Sequence, residues 1–386
     1  MKWSKILQRT FLSDLLYLDS KSKMTTLTSI SEVCKNPIEM LKKYKDSGIR
    51  VVGYSCSYVP EELIISAELQ PFRIPNFGSA ASTLTPTFIC QFASAVLENI
   101  LKLEEFFSGF VLAHTCDPMW RLYDIIKKKV RKPVFFLRVP HNTEGELSTE
   151  FFKKELLRLK DFLTEILGAK VTDEALLSAI EVCNENRSLL KEVYMRNDDG
   201  KYCVNGLDRF QLVLASMWMP KKEINAQIKA SIFKNNSVKT DKVRLHINGT
   251  AIYDLKLIEM IEDAGCFIAS DDLCTGSRYF WENVAISRDP IYALADRYLQ
   301  RTPCPSHGPL QKRLAYIDFM VEKFKARGVL TIAERFCDPI LYDAVHVKDM
   351  LTKRNIPTML IDYENFEQET GRIKTRVEAF IESLSG

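Results

Sequence analysis

Two well-separated stretches of this chain repeat one long pattern, and the repetition limits the available folds more than any other feature. Residues 109–140 read Gly-Phe-Val-Leu-Ala-His-Thr, then Cys116-Asp117-Pro118, a segment from Met119 to Arg131, and Lys-Pro-Val-Phe-Phe-Leu-Arg-Val-Pro. Residues 328–364 read Gly-Val-Leu-Thr-Ile-Ala-Glu-Arg-Phe, then Cys337-Asp338-Pro339, a segment from Ile340 to Asn355, and Ile-Pro-Thr-Met-Leu-Ile-Asp-Tyr-Glu. Each copy is an apolar run, a Cys-Asp-Pro, a helix-length segment with Tyr-Asp in its first turns, basic residues and a second apolar run. Short apolar runs rich in β-formers predict buried parallel strands. Asp117 and Asp338 suit the N-cap, and Pro118 and Pro339 suit the first helical position, which needs no amide hydrogen. Lys127, Lys128 and Lys129 in one copy, and Lys353 and Arg354 in the other, suit the negative end of a helix dipole. Two β-α-β units are predicted, each with a cysteine at the carboxyl end of a strand.

Each unit has an upstream partner. Opening strands are predicted at Ile49–Tyr54 and Val243–Gly249, followed by helices over Pro60–Leu69 and Asp254–Ala264 and strands over Pro71–Ile74 and Cys266–Ser270. Between the halves, residues 150–235 have a helical pattern, with Leu156, Leu159, Leu163, Ile166 and Leu167 on one face and a new helix starting at Thr172. The expectation is an α/β fold of two Rossmann-like parallel-sheet halves, with a helical N-terminus and a helical insert. The boundaries are an N-terminal helical segment at 1–48, a first half at 49–149, the insert at 150–240 and a second half at 241–386.

A net charge of +3 over 386 residues argues against a dedicated nucleic-acid surface. No apolar run approaches the ~20 residues that span a bilayer. Met1–Leu18 reads as an amphipathic helix in which Lys5, Gln8 and Arg9 break up any signal-peptide core. A cytoplasmic protein is expected. Its ten cysteines then need an explanation other than disulfides. No Cys-x-x-Cys pair is present, which removes zinc ribbons and thioredoxin-like sites. Cys34, Cys183 and Cys266 sit among helical or apolar residues and read as buried side chains.

Ligands of open parallel sheets bind beyond the carboxyl ends of the strands. Cys116 and Cys337 are predicted there, and Cys90 opens a helical run from Gln91 to Leu101. A helix N-terminus favours thiolate, the metal-binding form. Three such thiolates suit a [4Fe–4S] cluster with one iron left without a protein thiolate. Zinc held by three cysteines is the rival; the nearby His114 lies in a strand and reads as packed.

The segments Gly53–Ile64, Thr115–Asp117, Asp272–Tyr279, Phe336–Asp338 and Lys374–Glu382 resemble, in order, the 2-hydroxyacyl-CoA dehydratase and benzoyl-CoA reductase family. The resemblance runs from about Gly48 to Leu384. It implies a [4Fe–4S] cluster on the positions of Cys90, Cys116 and Cys337. It also implies radical chemistry on an acyl-CoA thioester, started by an electron from a separate ATP-hydrolysing iron–sulfur activator. The thioester carbonyl becomes a ketyl radical, which expels the 2-hydroxyl group. Subunits of this family work in related pairs, so a homologous second subunit is implied.

Cys56, Glu62 and Cys274 are further candidates for the crevice. Glu61 and Glu62 equally suit any helix start, where carboxylates meet the positive dipole end. Cys274 could be a fourth ligand or a crevice wall. The basic run Lys127–Lys132 reads as a solvated helix end rather than a CoA-phosphate site. Alternatives to a dehydratase subunit are an aryl-CoA reductase component, or a homodimer sharing a double-cubane [8Fe–9S] cluster. A third is an electron-transfer or assembly subunit whose cluster never meets substrate.

Overall fold

The computed structural model describes residues 29–76, 84–168, 171–197, 201–202, 204–234, 238–239 and 241–385. The helix expected over Met1–Leu18 lies outside them. The strands are β1 (Val51–Tyr54), β2 (Gln70–Arg73), β3 (Gly109–His114), β4 (Val134–Arg138), β5 (Lys201–Tyr202), β6 (Val238–Lys239), β7 (Val243–Gly249), β8 (Cys266–Asp272), β9 (Gly328–Glu334) and β10 (Thr358–Tyr363). Two four-stranded parallel sheets form, in the orders β2-β1-β3-β4 and β8-β7-β9-β10, while β5 and β6 make a small antiparallel pair. Since β3 and β9 carry the repeated Cys-Asp-Pro, the two sheets have the same order strand for strand. The duplication read from the sequence is a duplication of topology.

Burial explains the strand composition. Every residue of β7, β8 and β9 is buried, so these strands carry apolar runs without alternation. Pro71 is tolerated because β2 is an edge strand. Gly249 ends β7 at φ 144, where a Cβ would stand 1.9 Å from the Ile332 carbonyl oxygen, so only glycine fits.

Helices Glu146–Leu167, Asp173–Met195, Gly206–Ser216 and Lys221–Lys234 lie between the sheets in sequence. Thr172 caps the second of these, its side chain accepting the Ala175 amide at 3.2 Å. Among the described residues no helix is long and apolar enough to cross a membrane.

The Cys-Asp-Pro helices run Asp117–Lys129 and Asp338–Thr352, and their N-caps are Cys116 and Cys337 rather than the aspartates. Asp117 and Asp338 stand one place further in, where a carboxylate still favours the positive end of the dipole. The two copies differ deeper in. Asp343 is buried and meets Arg313 at 2.8 Å, and Arg313 also meets Asp272 at 2.6 Å. Its counterpart Asp124 is exposed. Arg278 joins Asp272 at 3.1 Å, so the Asp272–Arg278 end of the Asp-Leu-Cys-Thr-Gly-Ser-Arg motif is an internal ion pair.

Removing Arg313 strands the buried Asp343 and leaves Asp272 with Arg278 alone. Arg313→Ala is expected to cost about 3–5 kcal/mol in chemical denaturation. Asp124→Ala should stay within about 0.5 kcal/mol of the parent. Equal small effects would show that the buried chain does not hold the second half together.

Candidate functional site

Three helices begin on a cysteine. Cys90 is the N-cap of Gln91–Leu103, Cys116 of Asp117–Lys129 and Cys337 of Asp338–Thr352, and none of the three side chains caps its own helix. The last two follow β3 and β9 directly, at the carboxyl ends of the sheets. Phe336, at φ 66, takes the left-handed conformation in a turn closed by the Cys337 amide on the Glu334 carbonyl at 3.0 Å. That turn re-aims the chain between β9 and Cys337.

The thiols of Cys90 and Cys337 hydrogen-bond to each other, and Cys90 Sγ lies 4.0 Å from Glu334 Oε2. Cys116 interacts electrostatically with Cys90, Cys304 and Cys56. Cys56 in turn interacts with Cys274 and Cys304. The crevice thus gathers Cys90, Cys116 and Cys337 and, beside them, Cys56, Cys274 and Cys304. Among the described residues no three His, Cys, Asp or Glu are drawn close enough to hold one metal ion. The donor set does fit a larger group: three N-cap thiols with no capping duty, on helices whose positive ends face an anion.

Electrostatics decide the state of these thiols in the metal-free chain. The backbone amides of Ala93 and Met119, at the third position of their helices, favour the thiolates of Cys90 and Cys116. Larger effects oppose them. The hydrogen bond that the Cys90 thiol donates to Cys337, and then burial, raise Cys90 well above its usual range, and burial pushes Cys116 up to about 12. The expected thiolate-favouring helix ends are present but outweighed by desolvation. Burial also pushes the Glu334 carboxyl up to about 7, with Asn76 Nδ2 donating to its Oε1 at 2.7 Å.

The other candidates divide. Glu62 is fully buried, accepting hydrogen bonds from Arg187 and, at 2.9 Å, from the Tyr298 hydroxyl. Burial favours its protonation, but the charges of Arg187 and Arg297 outweigh this and hold its carboxyl below the usual range. Glu61 accepts from Tyr54 at 2.5 Å and Tyr279 at 2.6 Å and pairs with Lys221 at 2.9 Å. Both carboxylates clasp the insert and the second half to the first. Cys274 Sγ accepts a hydrogen bond from Arg73 Nη2 at 3.1 Å. His114 packs edge-on against Trp120 and against Phe136, as its strand position implies. Lys127, Lys128 and Lys129 are exposed at a helix end. Cys34, Cys183 and Cys266 are buried; Cys34 and Cys266 donate to the carbonyls of Gln211 and Ile261.

Sequence reasoning missed Cys304, His141, His307, Arg73 and Glu334. Cys304 had a usable signal. It sits between Pro303 and Pro305, and so outside any helix interior, ahead of the helix Leu310–Lys323 that leads to β9, much as Cys90 precedes the helix leading to β3. His307 lies between His141 and Tyr58, stacked on the first at a ring-centroid distance of 5.3 Å and tilted against the second at 4.8 Å. Burial, His141 and Arg301 together lower the His307 pKa to about 3.

Two cavities flank the thiols. One, of about 560 Å³, lies between the two Cys-Asp-Pro helices and is lined by Cys116, His141, His307, Arg313 and Asp338. The other, of about 610 Å³, is lined by Asn76, Gln91, Tyr253, Glu334 and Tyr363, together with the exposed Lys35 and Lys256.

The family described as 2-hydroxyglutaryl-CoA dehydratase, D-component, matches residues 56–384. The chain is 26% identical over 362 residues to the (R)-phenyllactyl-CoA dehydratase beta subunit of Clostridium sporogenes, covering 92% of this chain and 97% of the relative. It is 27% identical over 357 residues to a benzoyl-CoA reductase subunit of Thauera aromatica, covering 89% and 92%. Its identity to the (R)-2-hydroxyglutaryl-CoA dehydratase beta subunit of Acidaminococcus fermentans is 25% over 379 residues, covering 93% and 98%.

In the metal-free chain the raised Cys116 thiol should react with iodoacetamide slowly at pH 8. Its labelling should keep climbing with pH beyond pH 10, where an ordinary thiol with pKa ~8.5 has levelled off. Mass spectrometry of alkylated peptides checks this; a plateau by pH 9 would contradict the burial argument.

Proposed function

The chain belongs to the 2-hydroxyglutaryl-CoA dehydratase D-component family, and from that premise we propose that it is an iron–sulfur subunit of a cytoplasmic 2-hydroxyacyl-CoA dehydratase. Cys90, Cys116 and Cys337 would hold a [4Fe–4S] cluster. The observation that supports this is that three helix N-caps are cysteines, two of them directly after matching strands, with Cys90 hydrogen-bonded to Cys337 and in electrostatic contact with Cys116. A cluster bound there would supply one-electron transfer and a Lewis-acid iron for a thioester carbonyl.

The residues around it have separate tasks. Burial of Cys90 would keep water from one side of a low-potential centre. The 560 Å³ cavity, lined by Cys116 and residues at the starts of both Cys-Asp-Pro helices, is the better entry for a thioester, because amides at helix starts favour a carbonyl oxygen gaining negative charge. An ATP-hydrolysing iron–sulfur activator would deliver the starting electron. The resulting substrate ketyl radical would expel the 2-hydroxyl group, and the electron would return at the end of the cycle. The relatives are named as subunits, which supports a homologous partner chain.

A second reading has its own support. Cys56, Cys274 and Cys304 share the crevice with the first set, making six thiols in one chain. That number suits a double-cubane [8Fe–9S] cluster in a reductase, held within one chain instead of shared across a dimer.

Anaerobic reconstitution separates the two. A dehydratase subunit should hold about four irons per chain and the alternative about eight. Cys90→Ser, Cys116→Ala and Cys337→Ala should lose iron, and Cys34→Ala and Cys183→Ala should keep it. In the first reading Cys56→Ser and Cys274→Ser keep full iron; in the second they lose part of it. Full iron in Cys116→Ala and Cys337→Ala would remove both. With activator and partner subunit, a panel of 2-hydroxyacyl-CoA and aromatic CoA thioesters then tells lyase from reductase. Activity should decay within minutes to hours in air, and undiminished activity after aerobic storage would count against an exposed iron.

A further inference from the structure

Of the buried cations Arg73, Arg187, Arg209, Lys221, Arg244, Arg278, Arg297, Arg301 and Arg313, four pair with a carboxylate, most of the rest bond to backbone carbonyls, and Arg73 donates to a cysteine sulfur. Arg187 meets Glu62, Lys221 meets Glu61, Arg278 meets Asp272, and Arg313 meets Asp272 and Asp343. Arg73 is different. It is 1% exposed, and its terminal nitrogens donate to the Cys274 carbonyl at 2.7 Å, Cys274 Sγ at 3.1 Å and Met217 Sδ at 3.5 Å. Its Nε has no partner among the described residues, and no described carboxylate stands within ion-pair distance of it. A guanidinium does not deprotonate in a protein, so the charge stays. Burying it uncompensated is costly.

Its placement is fixed. Arg73 ends β2, its amide bonded to the Met217 carbonyl at 3.2 Å and its carbonyl bonded to Trp218 Nε1 at 2.8 Å. Trp218 itself is fully buried. The guanidinium is thus aimed at the crevice wall by a locked backbone, and it favours negative charge on Cys56 as well. Arg301 adds a second cation of the same kind. It is 2% exposed, bonded to the Arg278 carbonyl and Ser57 Oγ at 3.1 Å each, with an unpartnered Nε.

We propose that Arg73 is the fixed counter-charge of the crevice, a positioning residue that compensates an anionic iron–sulfur group held by the crevice thiols and keeps its reduced state accessible. The inference rests on the iron–sulfur reading above: if eight irons are held Arg73 bonds a ligand sulfur, and if four are held it acts from the crevice wall through Cys274. A cluster ligated by thiolates is anionic, and each electron it takes adds one negative charge. A cation in a low-dielectric wall lowers the cost of that electron. Net charge and hydrogen bonds to sulfur are among the factors that set such potentials, and Arg73 supplies both.

The test is an anaerobic redox titration, followed by electron paramagnetic resonance, of wild type, Arg73→Met and Arg73→Lys, with iron and sulfide counted in each. Arg73→Met should keep its iron and disfavour reduction at least tenfold, a fall of about 59 mV for one electron. Arg73→Lys, which keeps the charge, should stay within about threefold of wild type. If Arg73→Met loses its iron while Arg73→Lys keeps it, the charge requirement is upheld by retention instead of potential. An unchanged potential in Arg73→Met, or equal loss of iron in both variants, overturns the inference and leaves the cluster reading standing. A wild-type chain that takes up no iron under reconstitution overturns both.

Discussion

Arg313 holds Asp272 and Asp343 at once, and both carboxylates belong to segments that lead to the crevice. Asp272 is the last residue of β8, and Asp343 lies in the second turn of the helix that Cys337 caps. Arg313 also donates to Asn248 Oδ1 near the end of β7 at 2.8 Å. One side chain thereby ties the ends of two strands to the helix behind a candidate ligand. Buried ion pairs add little net stability, since desolvation consumes most of the Coulombic gain. Their value here is geometric: a shift of the helix against the sheet would strand charges in the interior. Glu61 and Glu62, pairing with Lys221 and Arg187, do the same for the first half against the helical insert.

Within that frame, two opposed effects meet at the thiols. Helix starts favour thiolate, burial favours thiol, and in the metal-free chain burial wins at Cys90 and Cys116. In the proposed iron–sulfur reading, a bound metal group would reverse the outcome, because ligation requires the anion and the released protons leave with binding. Loading would then be coupled to pH, with lower pH working against it. With their thiols held protonated, Cys90 and Cys116 are also protected against oxidation.

How much of this could be read from residues varies with the range of the interaction. The matching sheets were legible, because the repeated strand, Cys-Asp-Pro and helix express local rules of burial, capping and dipole charge. The N-cap was displaced by one residue, since Asp serves almost as well inside the first turn as at the cap. Cys304 was within reach of the same duplication argument, had its position ahead of a helix been compared with that of Cys90. The repeated Tyr-Asp misled in the other direction: Asp343 is a buried ion-pair partner and Asp124 a solvated residue, although the local sequences agree. Partners such as Arg73 and Cys274, or Arg187 and Glu62, are far apart in the chain and obey no local period. Their pairing exists only once the halves pack.

The charge sources in the crevice also differ in kind. His307 is held neutral by burial and by the nearby His141 and Arg301 side chains, so it offers one donor and one acceptor but no charge. Arg73 and Arg301 carry charge at every pH the protein meets. If the site accepts an electron and passes it on, as proposed, it gains from this division. Fixed guanidinium groups set the field around the thiols without exchanging protons, and the neutral imidazole of His307 beside Cys116 can orient a polar ligand without changing that field. Protonation of His307 would add a third cation to an already positive wall. Burial makes that step unfavourable, which keeps the field of the crevice constant across the neutral range.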